Sequence, residues 1–441
     1  MNWLPYALGA LLFFVGLLAS IALHEIGHMW PAKKFGMKVT QYFVGFGRTV
    51  WSTKRGETEY GVKAVPLGGY VRIIGMFPPA KHSEDAAGHV TVRQANTGPF
   101  QSLIENARSA EYETIKAEDA PRLFYAKPWW QKLIVMTGGP LMNVLIAFVL
   151  FSGVFMLYGA PVSKTTIDTV TDCVIPASEA KNKDRVCQRG DTVSPAKAAG
   201  FKSGDRVLEF NGTTITSWNQ LTPLIRANTD QPATIVVERD GQRLTLHTKT
   251  IVNQVYDTSS STKIVSVGYL GIAPEQVIER QGLGYTLNRM GTLTGLTAKA
   301  LIAFPGKLVG VAKAIAGGER AADSPMSIVG ASRVAGEVAA QKGISAGAKI
   351  SFFIGMLASV NLFIAFFNFI PLLPLDGGHI AGALWEALKR AIARLRGRPD
   401  PGHVDVAKLL PLAYLAASFI VVMGAMLVIA DVVNPIKLFN G

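Results

Sequence analysis

The chain has 441 residues, 49% hydrophobic and only 17% charged, with a mean hydropathy of +0.27. So apolar a composition excludes an ordinary soluble protein and general disorder, and it points to a membrane protein. The 44 Gly follow no G-x-y period and there are only 2 Cys, which excludes collagenous and disulfide-scaffold classes; the excess of 44 Lys and Arg over 31 Asp and Glu reads as basic loops facing anionic lipid, with no nucleic-acid partner.

Four stretches, roughly 3–28, 131–158, 349–371 and 409–433, are apolar and long enough to cross a hydrocarbon core, which takes about 20 helical residues. The first is read as retained in the membrane, because no Lys or Arg precedes Lys33 and no small-x-small cleavage site follows. Lys33, Lys34 and Lys38 follow the first span, and Arg122, Lys127 and Lys132 flank the start of the second, which places residues 31–128 in the cytoplasm and the N-terminus outside. Alternation then puts 160–347 outside and the basic loop 377–408 inside. The expected plan is a first transmembrane helix at 1–30, a second at 129–159, a third at 347–376 and a fourth at 409–433.

The chemistry lies in the first span. His24-Glu25-Ile26-Gly27-His28 is an H-E-x-x-H sequence. On a helix its i, i+4 spacing turns both imidazoles to one face, where one zinc ion can take a nitrogen from each. Glu25 is then beside the metal without being a ligand, a candidate general base for a water that the cation acidifies. Three ionisable groups in an otherwise apolar span mark a functional site unless the helix end has already left the bilayer.

A hydrolytic zinc site needs a third protein ligand. The only acidic residue within or bordering the third apolar stretch is Asp376, after Pro371 and Pro374, whose rings break the helix and free backbone groups that membrane depth tolerates only against protein or a wet cavity. Asn361 and Asn368 lie seven apart, about two turns, so both amides are expected to face one cavity, where an amide can hold a peptide backbone or an oxyanion. Interhelical hydrogen bonding is the alternative for each. Asp431, near the outer end of the fourth span, is expected to be solvated or snorkelled.

The H-E-x-x-H sequence, the distant Asn368-to-Pro371 and Leu375-Asp376-Gly377 segments, Gly45-Phe46-Gly47, Pro66-Leu67-Gly68-Gly69-Tyr70, Gly139-Pro140-Leu141-Met142-Asn143 and Ser324-Pro325-Met326-Ser327-Ile328 together resemble the site-2 protease family of intramembrane zinc metalloproteases. The similarity is to the bacterial regulator of sigma-E protease and its single-PDZ actinobacterial relatives. The resemblance implies Zn2+ held by His24, His28 and Asp376, Glu25 as catalytic base, and Asn368 assisting the substrate or transition state. It departs from the family pattern in one place: Pro374 follows Pro371 by three residues rather than two.

Between these motifs, Thr49–Thr53 and Thr58–Val65 read as a hairpin, with another strand at Tyr70–Ile74. In the resembled family such a sheet dips toward the active site, where a free edge can hold an extended substrate. Residues 76–126 read as a variable insertion with an amphipathic helix near 101–118; His82 and His89 there are expected to be solvated. Asn143 is expected to bond between helices, and His379 to stand behind the ligands rather than bind the metal. Residues 163–254 alternate short strands with turns and a helix near 217–228, resembling a circularly permuted PDZ domain. Cys173 and Cys187 lie in that outward region, where a disulfide is expected over two free thiols. Residues 283–346 read as amphipathic helices interrupted at Pro305 and Gly317-Gly318.

The reading is an α-helical membrane protein with four transmembrane helices, a small membrane-associated β-sheet and an extracytoplasmic PDZ domain. It is expected to reside in the cell membrane, with the N-terminus and PDZ domain outside the cytoplasm. Its expected activity is hydrolysis of transmembrane segments of single-span membrane proteins already trimmed by an upstream site-1 protease. By resemblance these include anti-sigma factors. The alternative is a non-catalytic membrane PDZ adaptor with a structural zinc.

Overall fold

The computed structural model describes residues 3–78, 83–84, 90–91, 104, 115–176, 186–257, 260–321 and 323–436. His82, His89 and nearly all of the helix expected near 101–118 lie outside the described residues. By internal contact the chain forms two compact units, one of Met1–Val154 with Gly282–Gly441 and one of Phe155–Gln281.

The first unit is built on α1 (Trp3–Lys34) and α2 (Trp129–Gly153). Gly9, Phe13, Leu17, Ser20, His24, Gly27, His28 and Pro31 are buried along α1, a three-and-four spacing that forms one stripe. Both histidines therefore lie on the face that packs into the protein. Small residues bring α1 and α2 together: a Cβ on Gly27 would stand 2.4 Å from the Gly138 carbonyl oxygen, and one on Gly138 2.0 Å from that of Gly27. Backbone packs on backbone there, as lipid-embedded helices favour.

After α1, the chain forms two long antiparallel strands, β1 (Val39–Arg55) and β2 (Thr58–Ile73). Each doubles back, so Tyr42, Phe43 and Val44 pair with Tyr60, Gly61 and Val62 and also with Val71, Tyr70 and Gly69. The bends fall at Gly45, Gly47 and Gly68, all at positive φ. The Tyr42 hydroxyl donates to the Ala22 carbonyl at 2.8 Å and ties this sheet to α1.

In the second unit the strands are β3 (Ala160–Val170), β4 (Arg206–Phe210), β5 (Pro232–Arg239), β6 (Gln242–Lys249), β7 (Ile251–Asp257), β8 (Ser260–Tyr269) and β9 (Ile272–Glu279). Helices α3 (Pro195–Ala198) and α4 (Trp218–Ala227) accompany them. The main sheet runs β9-β3-β4-β5-β6, all antiparallel, over a core that includes Ile167, Phe210, Leu221 and Ile235; β7 and β8 form a separate hairpin. The sheet extends past the expected module of 163–254, because β9 returns to pair with β3 from far along the chain. Cys173 and Cys187 are disulfide-bonded.

The remaining helices belong to the first unit: α5 (Leu283–Ile315), α6 (Ile328–Ala340), α7 (Ala346–Asn368), α8 (Asp376–Leu395) and α9 (Leu410–Val433). One expectation needs correction. Helix α5 runs unbroken through Pro305, and Leu308 and Val311 beyond the ring are buried against Leu427 and Ala430 of α9; packing outweighs the one backbone bond that proline removes. Five helices rather than four are then long and apolar enough to cross a membrane, by length and composition. The segment expected as a loop at 377–408 contains the whole of α8 after its first residue.

Asp431 is buried, not solvated. Its carboxylate accepts from the Arg320 guanidinium at 2.7 Å and from the Ser327 amide at 2.7 Å, closing the junction between the 316–327 segment and α9. A second buried pair, Lys132 with Glu386 at 2.7 Å, joins α2 to α8.

Candidate metal centre

Helix α7 ends at Asn368, the chain runs irregularly past Pro371 and Pro374, and α8 begins with Asp376. The Gly-Gly that follows is required by space: a Cβ on Gly377 would lie 2.1 Å from the Ile370 carbonyl oxygen, and one on Gly378 2.7 Å from the Leu373 amide nitrogen. The first turn of α8 can therefore press against the irregular segment and present Asp376 to α1.

His24, His28 and Asp376 converge. The two Nε2 atoms are 3.2 Å apart, and Asp376 Oδ2 is 3.3 Å from each. Among the described residues this is the one group of His, Cys, Asp or Glu side chains close enough to hold a metal. His28 Nδ1 is 2.8 Å from the Val135 carbonyl, which can only accept, so Nδ1 carries the proton and the Nε2 lone pair faces the group. Donors about 2 Å from one tetrahedral ion lie about 3.3 Å from one another, the spacing observed here. The donor set of two imidazoles and a carboxylate fits zinc and leaves one tetrahedral position without a protein ligand.

Glu25 is buried beside this triangle. A Cβ on Gly69 would come within 3.0 Å of its Cγ, so strand β2 lies directly on it. A cavity of about 650 Å³ opens over these groups, lined among others by His24, Glu25, His28, Tyr70, Asn143, Asn368 and Asp376. Asn368 makes no side-chain hydrogen bond among the described residues. His379 also lines the cavity and packs edge-on to Phe124, with ring centroids 6.4 Å apart.

Asn361 does not share that cavity. It is fully buried, and its amide donates to Ser20 Oγ of α1 and to the Leu357 carbonyl, each at 2.9 Å. Two helical turns place two side chains on one face but do not decide what packs over each, and α1 covers this one. Gly139 is a further contributor that its sequence does not single out: a Cβ there would stand 2.2 Å from His28 Nε2 and 2.7 Å from His24 Nε2. Its place in Gly138-Gly139-Pro140 inside an apolar span was the available signal.

A model of peptidase family M50 matches residues 12–408, and the chain belongs to this family, the site-2 proteases. It is 33% identical to zinc metalloprotease Rip1 of Mycobacterium tuberculosis over 99% of this chain and 100% of the relative. Metalloprotease MmpA of Caulobacter vibrioides is 28% identical over 93% of this chain and 95% of the relative. Zinc metalloprotease RasP of Geobacillus kaustophilus is 27% identical over 89% of this chain and 88% of the relative. The chain is accordingly a multi-pass membrane zinc metalloprotease whose cofactor is Zn2+.

Proposed function

We propose that this protease cuts within the transmembrane segments of its substrates, with His24, His28 and Asp376 as the zinc ligands and Glu25 as the catalytic base. The observation that carries the proposal is the 3.2–3.3 Å triangle of donor atoms, assembled from α1 and α8 beside a buried carboxylate. Zinc, when bound, supplies Lewis-acid polarisation of the scissile carbonyl and acidifies a water. Glu25 takes the proton from the attacking water and returns it to the leaving amine. The Asn368 amide, free within the cavity, donates to the oxygen on which negative charge develops. Gly139 leaves room for the imidazoles, and the Val135 carbonyl fixes the His28 tautomer.

A helical substrate shields its scissile bond, because its carbonyls are already bonded within the helix. The Gly69–Ile73 end of β2, which lines the cavity at Gly69, Tyr70, Val71 and Ile73, offers a strand edge on which an unwound segment can be held. Residues Phe155–Gln281 are read as a PDZ-type module; a hollow of about 190 Å³ between α4 and Tyr269–Ile272 suits an extended peptide end. The physiological substrates in this reading are single-span membrane proteins already trimmed outside by another protease, anti-sigma factors among them. The enzyme lies in the cell membrane with the module outside.

The test is Glu25→Gln in the full-length protein. It should retain zinc and lose cleavage of a transmembrane reporter by at least about a hundredfold. Cleavage at the unmodified rate would remove Glu25 as the base. Absence of cleavage by the unmodified protein on several trimmed substrates would favour the adaptor alternative.

A further inference from the structure

Helix α8 has two faces that the metal centre does not use. Leu384, Trp385, Leu388, Ile392 and Leu395 are exposed and fall within about 100° of one another around the helix axis, forming one apolar stripe. Turned away from the stripe, Arg390 and Arg394 face a hollow of about 740 Å³ that Arg398, Trp129 and Trp130 also line. Arg390 is committed to Glu386 at 3.1 Å and to Asp400 at 3.4 Å; Asp400 also borders the hollow, and Glu386 is held in addition by Lys132. Arg394 and Arg398 have no acidic partner among the described residues.

Two uncompensated guanidinium groups therefore line a hollow that meets the apolar stripe at Leu388, close to where α2, a helix long and apolar enough to span, begins with two indoles. Tryptophan at the end of a spanning helix settles at the level of the lipid headgroups, and basic hollows at that level attract anionic ones. Guanidinium groups also match phosphate oxygens in a two-pronged geometry. We propose that this hollow binds the phosphate of an anionic membrane phospholipid between Arg394 and Arg398, with the acyl chains lying along Leu388, Ile392 and Leu395. A soluble phosphate satisfies the arginines but leaves the stripe in water, so the combination of charge and apolar surface selects the lipid. Helix α8 would then be held at one end by protein packing around Asp376 and at the other by lipid.

The test uses full-length protein, delipidated in detergent and titrated with phosphatidylglycerol or phosphatidylcholine while bound lipid is counted by native mass spectrometry. Phosphatidylglycerol should bind in preference to phosphatidylcholine. Arg394→Gln with Arg398→Gln should weaken its affinity about thirtyfold, the loss of two near-surface basic contacts, with zinc content unchanged. The Arg394→Lys, Arg398→Lys pair keeps the charge but not the two-pronged geometry, and should bind with an affinity between those of the unmodified protein and the Gln pair; it also guards against a folding artefact. Equal binding of the two lipids, unchanged affinity in the Gln pair, or full displacement of phosphatidylglycerol by millimolar inorganic phosphate would each overturn the proposal.

Discussion

Gly139→Ala adds one methyl group where the structure leaves none to spare. The new Cβ would stand 2.2 Å from His28 Nε2 and 2.7 Å from His24 Cε1 and Nε2, more than 1 Å inside an ordinary contact of about 3.5 Å in the first case. Two escapes exist. The helices can part, but Gly27 and Gly138 already meet backbone to backbone along the same seam, so parting opens a gap there. Alternatively the His28 ring can swing, which breaks its 2.8 Å bond to the Val135 carbonyl. Overpacking of this kind costs about 1–3 kcal/mol, and loss of a partner behind a metal-binding histidine typically lowers metal affinity about 10–100-fold. We therefore expect zinc affinity, measured by chelator competition on the purified protein, to fall at least tenfold, and reporter cleavage at limiting zinc to fall with it. Gly355→Ala on α7, where the added methyl meets nothing within 4 Å, serves as the neutral control. Zinc affinity and cleavage both within twofold of the unmodified protein would refute the close packing of α2 on the histidines.

The two asparagines should separate by readout. Asn368→Ala is expected to lower kcat about a hundredfold with zinc content unchanged, whereas Asn361→Ala should lower the apparent melting temperature by loss of its bond to Ser20 while kcat holds. Asp431→Ala strands the Arg320 guanidinium in a buried site; a loss of about 3–5 kcal/mol is expected, and the Asp431→Ala, Arg320→Ala pair should lose less than the sum of the single changes in a double-mutant cycle. Asp205, fully buried in the second unit, is pushed upward by burial, but two bonds from Arg239 at 2.7 and 2.8 Å and one from the Lys202 amide prevail and hold its carboxyl below the usual range. Its folded value being depressed, the stability it contributes is complete above the unfolded value near 4 and is lost as pH falls through the folded value. Protection factors at β4 and β5 in the full chain, with the intrinsic exchange rate divided out, should fall on acidification below pH 4 and depend less on pH in Asp205→Asn; identical protection profiles would rule out this linkage.

What the sequence made legible was what is local or chemically singular. H-E-x-x-H needs only the helical repeat to bring His24 and His28 onto one face, and Asp376 stood out as a lone acid beside two helix-breaking prolines. Partners distant in the chain were not legible. Nothing in the local pattern says that Asp431 will find Arg320, that Lys132 will find Glu386, or that Ser20 will cap the amide of Asn361. Pro305 misled for a related reason, since its cost to a helix is local while the packing of Leu308 and Val311 that outweighs it comes from α9. Likewise β9 completes its sheet against β3 across most of the second unit, a pairing that no short window contains.

The donor triangle draws on the opening helix and on a residue late in the chain, which bears on when the enzyme becomes dangerous. While the ribosome is still making the middle of the polypeptide, the nascent protein can offer a metal only its two imidazoles. A membrane protease armed that early could damage its neighbours in the translocon. With His24, His28 and Asp376 as the proposed ligands, the full donor set exists only once Asp376 has been synthesised and docked against α1, so the grip on the cation comes late in biogenesis.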